Sequence, residues 1–105
     1  MPQKRAFERK KRRLLVEFVL DGTHHSGFTF DVSPNGVFVR SSRLPELGKT
    51  ITVDLHLPQD KRVSVRGKVV RSFRVPAELS RVIPSGFAIQ ISDCPEEYFQ
   101  FLASI

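Results

Sequence analysis

The stretch FDVSPNGVFVR, residues 30–40, places an acid, a hydroxyl and a glycine around a tight turn. Proline presets a φ suited to turns, and Asn and Gly tolerate positive φ, so Pro34-Asn35-Gly36 predicts a turn between two apolar runs. Alternate residues of a strand share a face, so Asp31 and Ser33 are expected to project together. Gly36 lets a ligand or another backbone approach closely. A hairpin turn capped by its own side chains explains the same pattern without a ligand.

A cationic arm precedes the first apolar run. Residues 1–13 hold seven Lys or Arg and one acid, Glu8, whereas the remaining 92 residues hold ten basic and ten acidic side chains. The formal net charge of +6 therefore lies in this arm. Like charges in such a block repel one another, which favours an extended conformation until an anion binds. Within the arm, Arg9 and Arg13 have the spacing R-x-x-x-R directly before the first apolar run.

Several functional classes lack their characteristic residues. The single cysteine, Cys94, permits neither an internal disulfide nor a thiolate metal cluster, and the adjacent His24 and His25 have no carboxylate pair nearby. There is no glycine-rich phosphate loop and no Ser/His/Asp order in a strand–turn–helix context. We therefore expect no catalysis, no metal and no cofactor. Because no apolar run reaches the ~20 residues of a membrane span, or follows the arm as in a signal peptide, we expect a soluble cytoplasmic protein.

Alternating apolar residues predict six strands, at residues 14–20, 27–33, 36–41, 49–57, 62–75 and 86–92. The inward row of the second strand is predicted to contain Phe28, Phe30 and Val32. Asp21-Gly22 is a hairpin signal, and the pattern places His24-His25 in the turn region after it. The alternation breaks at Val69-Val70, which predicts a bulge.

The end of the chain has helical periodicity. Asp93 supplies a capping acid, and Pro95 and Glu96 suit a first helical turn. The apolar residues that follow have the spacing i, i+3, i+4 and i+7, and they are Tyr98, Phe101, Leu102 and Ile105, with Phe99 widening the stripe. We expect this face to pack against the sheet, because a helix this short is not stable alone.

These elements predict an all-β fold. Six strands in ~80 residues leave no room for parallel crossovers, so the sheet must be mostly antiparallel, and closing it would remove exposed edges. The prediction is a six-stranded antiparallel β-barrel with a C-terminal α-helix packed on it, spanning residues 14–105. A flexible basic arm, residues 1–13, precedes the barrel.

Together, the two motifs resemble those of the PilZ domain, the bacterial receptor module for cyclic di-GMP. That family pairs R-x-x-x-R, just before the first strand, with [D/N]-x-S-x-x-G one hairpin later, and here Arg13 and Asp31 lie 18 residues apart in that order. The last strand and the closing helix extend the resemblance over nearly the whole chain. Arg5 and Arg9 also have R-x-x-x-R spacing, but in the family the second arginine adjoins the first strand, so the motif is assigned to Arg9 and Arg13.

The resemblance implies a non-enzymatic receptor that binds cyclic di-GMP through Arg9, Arg13, Asp31, Ser33 and Gly36. Arginine suits both phosphate and the O6/N7 edge of guanine, whereas a carboxylate accepts hydrogen bonds from the guanine N–H groups. A serine hydroxyl can donate to a phosphate or accept from the base. The arm, residues 1–12, is expected to be mobile without ligand and ordered with it, which would create a surface for a downstream protein partner.

Two other functions remain open at this point. A PilZ-like protein could act only as a protein-interaction module that binds no nucleotide, although the motif residues are intact. A small barrel could also bind single-stranded nucleic acid, with the arm on its phosphates. The predicted inward rows of Phe, and the confinement of the net charge to the arm, make nucleic acid the less favoured partner.

Overall fold

The computed structural model describes residues 9–79 and 85–105. In this part of the chain, seven strands precede one α-helix, and a short 3₁₀ turn, Ala77–Leu79, follows the sixth strand. The strands are β1 Lys10–Lys11, β2 Leu15–Leu20, β3 Thr23–Ser33, β4 Gly36–Arg40, β5 Thr50–Leu57, β6 Lys61–Phe73 and β7 Gly86–Asp93, and the helix is α1 Glu96–Ala103. No helix within the described ranges is long and apolar enough to cross a bilayer.

Strands β2 to β7 close into a barrel. They pair in the order β3-β2-β5-β6-β7-β4, and β4 pairs back with β3. Each pairing is antiparallel, so the predicted six-stranded antiparallel barrel is confirmed. The structure adds β1, which the sequence pattern does not predict: Lys10 lies opposite Val32 and Lys11 opposite Asp31, both on β3. The arm is therefore joined to the barrel at residues 10–11, while residues 1–8 lie outside the described part of the chain.

The barrel interior is filled with side chains, and α1 packs against this core. The fully buried positions on the strands are mostly Val, Leu, Ile and Phe. On the helix, Tyr98 and Leu102 are buried, and Phe101 and Ile105 pack partly buried against the same cluster, as predicted. The prediction for Phe99 is wrong, because its side chain is 45% exposed. One residue along a helix is a rotation of about 100°, which takes Phe99 off the stripe that contains Tyr98.

The predicted inward row of β3 is wrong in its first half. The register with β4 shifts between Thr29 and Asp31, which makes Phe30 an extra, bulged residue. A bulge changes which alternate positions face the core. Thr29 therefore points inward at 1% exposure, whereas Phe28 and Phe30 are 37% and 38% exposed. Beyond the bulge, Val32 is fully buried, as predicted.

The break in alternation on β6 is a bulge, as predicted. Val69 is buried and Val70 is exposed, and the register with β7 shifts between Val69 and Arg71. Uninterrupted alternation from Val69 would turn Arg71 and Phe73 inward. After the bulge, Arg71 is exposed and Phe73 contacts the outer aromatic ring of Phe38, so both side chains lie on the outer face.

The first hairpin is tighter than the sequence predicts. β2 ends at Leu20 and β3 begins at Thr23, so the loop is only Asp21 and Gly22, with φ angles of 51° and 80°. Positive φ at both central residues matches the twist of the flanking strands. His24-His25 therefore lies within β3, and its predicted place in the turn is wrong.

The start of α1 also differs from the prediction. Asp93 is the last residue of β7, and the N-cap is Pro95, which makes no capping hydrogen bond with its side chain. The fixed φ of proline, here −78°, suits this position, since it leaves the backbone ready to enter a helix.

Candidate functional site

An open groove of about 790 Å³ lies on the outer face of the barrel. Phe30 and Phe38 line the groove with aromatic rings, and the small residues Gly36 and Ala88 leave open space beside these rings. Phe30 and Phe38 meet edge to face, with ring centroids 5.9 Å apart. We call this surface the outer groove.

One row of outward positions crosses the outer groove from β1 to β6. Lys11 lies opposite Asp31, Asp31 opposite Phe38, Phe38 opposite Ala88, and Ala88 opposite Arg71. Because neighbouring strands lie about 4.8 Å apart, the row from Asp31 to Arg71 runs ~14 Å along the curved barrel surface, three strand spacings. The bulges in β3 and β6 put these two residues in the same row, since each bulge shifts the alternation of its own strand.

An ion pair stands at the β3 end of this row. Nη2 of Arg9 lies 2.8 Å from Oδ1 of Asp31, and the two side chains are 37% and 14% exposed. The pairing of β1 with β3 positions Arg9, because Lys10 and Lys11 lie against Val32 and Asp31. An ion pair this exposed contributes only ~0–1 kcal/mol, so a ligand can exchange with either partner at little cost.

Arg13 occupies a neighbouring position outside the groove lining. Its guanidinium carbon lies 4.0 Å from the centroid of the exposed Phe28 ring. Thr29 holds the backbone on either side of Arg13. The Thr29 hydroxyl donates to the carbonyl oxygen of Arg12 at 2.5 Å and accepts from the N–H of Leu14 at 2.8 Å. The base of the arm is therefore fixed by a buried threonine that the sequence reasoning did not single out.

Ser33 stabilises the β3–β4 turn. It is fully buried, and its hydroxyl donates to Oδ1 of Asn35 at 2.9 Å and accepts from the N–H of Gly36 at 3.1 Å. Its carbonyl oxygen accepts a 2.7 Å hydrogen bond from the hydroxyl of Tyr98 on α1. In this structure, the capped-turn interpretation describes Ser33 well, and the motif hairpin is bonded directly to the C-terminal helix.

Gly36 contributes space and not a positive φ. The turn exists as predicted, but neither Asn35 nor Gly36 has positive φ, so that part of the reasoning is wrong. A Cβ atom on Gly36 would lie 3.2 Å from the carbonyl oxygen of Ile89 on the neighbouring strand. The glycine therefore permits close approach of β4 and β7 beneath the outer groove.

The structure brings three of the five predicted site residues to the outer groove: Arg9, Asp31 and Gly36. Arg13 lies at the base of the arm and Ser33 beneath the turn. The predicted list omits the aromatic residues, Gln90 and Arg71, which also line the groove. The alternation break at Val69-Val70 was a usable signal for Arg71, since a bulge there turns Arg71 outward.

Among the described residues, two groups have shifted pKa values, Cys94 and Tyr98, and neither lines the outer groove. Burial, followed by the neighbouring Asp93 carboxylate, raises the pKa of the Cys94 thiol, so the reactive thiolate is disfavoured. Burial is also the main cause that raises the pKa of the Tyr98 phenol, which keeps it a hydrogen-bond donor to Ser33. In residues 9–79 and 85–105, no three His, Cys, Asp or Glu side chains are grouped so that they could hold a metal ion.

Comparisons with known proteins bear on the fold and the family. In fold, the chain is similar to the solved structure of the Bacillus subtilis inhibitor of motility, MotI/DgrA, with a TM-score of 0.79 and 16% sequence identity. The match covers 98% of this chain and 50% of the other, so the chain spans about half the length of that protein. Among curated proteins, none matches the sequence. The family model of the PilZ domain matches residues 3–103, and the chain therefore belongs to the PilZ domain family, a family of cyclic di-GMP receptors.

Proposed function

We propose that this domain is a non-enzymatic receptor that binds cyclic di-GMP in the outer groove and signals to a protein partner. The family supplies the ligand class. The observation that carries the proposal is the convergence of both sequence motifs on one groove, where Arg9 of the arm lies 2.8 Å from Asp31 of the hairpin.

The proposed binding step exchanges partners at this ion pair. The Asp31 carboxylate accepts hydrogen bonds from the N–H groups of a guanine, and Arg9 moves from Asp31 to a phosphate of the ligand. The exposed ion pair that is lost is worth ~0–1 kcal/mol, whereas each charge-assisted bond to the ligand contributes ~1.5–3 kcal/mol. The exchange is therefore favourable.

Arg13 and Ser33 have different proposed roles. Arg13 leaves the Phe28 ring and binds the ligand, because an exposed cation–π contact contributes only ~0.5–1 kcal/mol. Ser33 holds the turn that sets the positions of Asp31 and Gly36. A direct bond from the Ser33 hydroxyl to the ligand remains a prediction.

The signal is a change in the arm. β1 has only two residues, so its pairing with β3 is a small part of the fold and can open locally at low free-energy cost. Contacts from Arg9 and Arg13 to one ligand would hold the arm closed across the groove. A partner that binds the closed arm would then distinguish the two states, as population shift requires.

Isothermal titration calorimetry tests this function. Wild-type protein should bind cyclic di-GMP with a dissociation constant of ~1 μM or lower, equivalent to ~8 kcal/mol. Arg13→Ala and Asp31→Ala should each weaken binding at least tenfold, consistent with the loss of ~1.5–3 kcal/mol. Asp54→Ala is the matched control, because Asp54 is on the outer face of β5, bonds Ser64 at 2.5 Å and does not line the groove. A flat wild-type titration would overturn the proposal and favour an interaction module that binds no nucleotide.

The structure also strengthens the case for a single-stranded nucleic acid. Two exposed rings lie beneath cations of the arm: Phe28 beneath Arg13 at 4.0 Å, and Phe30 beneath Lys11 at 5.6 Å. Aromatic rings beside cations are typical of surfaces on which unpaired bases stack. Titration with a single-stranded oligonucleotide separates this function, because binding to many phosphates weakens steeply with salt. Oligonucleotide binding tighter than that of cyclic di-GMP would favour it.

A further inference from the structure

We propose that Arg71 is a third arginine of the ligand site, and that it recognises the O6/N7 edge of a guanine at the β6 end of the outer groove. The inference rests on the proposed cyclic di-GMP function. It concerns a residue outside both sequence motifs, 40 positions after Asp31 in the chain.

The bulge in β6 carries the inference. Val69 points into the core, and the register shift after it leaves Val70 exposed and pairs Arg71 with Ala88. Ala88 is opposite Phe38, whose ring lies in the groove lining together with Arg71. If Val69, Val70 and Arg71 alternated regularly without a bulge, Arg71 would face the core and the β6 end of the groove would lack a guanidinium. Bulges often re-aim a side chain in this way beside functional sites.

Arg71 is available for a ligand. Its side chain is exposed, and among the described residues it forms no side-chain hydrogen bond or ion pair. By contrast, Arg9 at the other end of the groove is bonded to Asp31, and Arg13 lies on Phe28. Arg71 is thus the guanidinium in the groove lining that has no partner among the described residues, and it belongs to neither sequence motif.

The surroundings of Arg71 favour a base over a phosphate. At the β3 end of the row, Arg9 beside Asp31 and Lys11 over Phe30 offer positive charge to a phosphate. Around Arg71, the groove lining is Val70, Phe38 and Ala88, which suits the face of a planar base. Arginine pairs bidentately with guanine O6 and N7, whereas adenine presents a donor where guanine presents O6. Arg71 would therefore select guanine at one end of the ligand, while Asp31 reads N–H groups at the other.

Calorimetry on variants of the full chain tests the inference. Arg71→Ala should weaken cyclic di-GMP binding at least tenfold, and Arg71→Lys should recover little of the loss because lysine lacks the planar fork. Lys68→Ala is the matched control: Lys68 is on the outer face of the same strand, opposite Gln90, and does not line the groove. It should change binding less than twofold at physiological salt. Thermal melting of each variant confirms that the fold is retained.

A ligand analogue identifies the contacted edge. A cyclic dinucleotide with 7-deazaguanine bases lacks the N7 acceptor. It should bind wild-type protein several-fold more weakly than cyclic di-GMP, and Arg71→Ala should bind the two ligands equally well. If the analogue loses the same factor on both proteins, Arg71 does not read N7, and the assignment is overturned.

The remaining outcomes separate the inference from the proposed function. Tight wild-type binding with no loss in Arg71→Ala would overturn the inference and leave the receptor function intact. Equal losses in Arg71→Ala and Lys68→Ala would also overturn it, because a long-range field would then explain both. Wild-type protein that binds no cyclic di-GMP would overturn the function and the inference together.

Discussion

Thr29→Val should loosen the base of the arm while leaving the shape of the core nearly unchanged. Thr29 is 1% exposed, and its hydroxyl is the shared partner of the Arg12 carbonyl and the Leu14 N–H. Valine fills a similar volume but offers neither bond. The N–H and the carbonyl that lose their partner would each cost up to ~1–3 kcal/mol if they stayed dry, and less where water reaches them. We expect the free energy of unfolding to fall by about 2 kcal/mol.

Thermal and urea denaturation measure this loss. For a domain of about 100 residues, 2 kcal/mol corresponds to a Tm lower by roughly 8–16 °C. Thr52→Val is the control, because Thr52 is an exposed residue on β5 and should lose little. Cyclic di-GMP binding should weaken as well, since Arg13 lies between the two residues that Thr29 anchors. If Thr29→Val and Thr52→Val have the same Tm, the Thr29 hydroxyl does not hold the arm. Arg13 must then be positioned by other contacts.

Three further predictions concern the arm and the helix. Arg13→Ala should weaken cyclic di-GMP binding more than Arg5→Ala does, as measured by calorimetry; equal losses would mean that the motif is assigned to the wrong pair of arginines. Trypsin cleavage within residues 9–13 should slow at saturating ligand, followed by mass spectrometry, and unchanged cleavage would refute ordering of the arm. Tyr98→Phe, which removes the bond to Ser33, should lower the free energy of unfolding by ~1–3 kcal/mol at pH 8. Because the folded state raises the phenol pKa, the wild-type protein should lose more stability than Tyr98→Phe as the pH rises above ~10. The difference between the two proteins should therefore shrink in urea denaturation at pH 11.

The alternation of apolar residues was sufficient for the barrel because most strands bury one face only. β5 is the clearest case: its alternate residues Val53, Leu55 and Leu57 are all buried. The pattern failed on β3 because the residues next to the bulge are apolar on the outer face, at Phe28 and Phe30, and polar on the inner face, at Thr29. Phe28 and Phe30 continue the row of Val32 in sequence, and only the register with β4 shows that they face outward.

The site was predictable only where local sequence decides its geometry. Asp31 and Gly36 belong to one hairpin, so their spacing was enough to place them together. Arg71 reaches the same groove through two strand pairings, β4 with β7 and β7 with β6, and a non-local register is not encoded in any one segment. The Thr29 bonds to the base of the arm depend in the same way on where β3 is bulged.

The filled interior of the barrel gives the arm a role in the proposed binding of a ligand. Because Val, Leu, Ile and Phe side chains fill the inside of the barrel, a ligand would have to bind on the outer face. The outer groove is open, so it would cover only one side of that ligand. A segment that closes over the groove would cover the other side of the ligand. The arm can do this, because its Arg9 already lies beside Asp31 in the groove lining. Binding and closure of the arm would then depend on the same contacts. Under the proposed function, this domain would convert ligand binding into a change of its own surface without a hinge between domains.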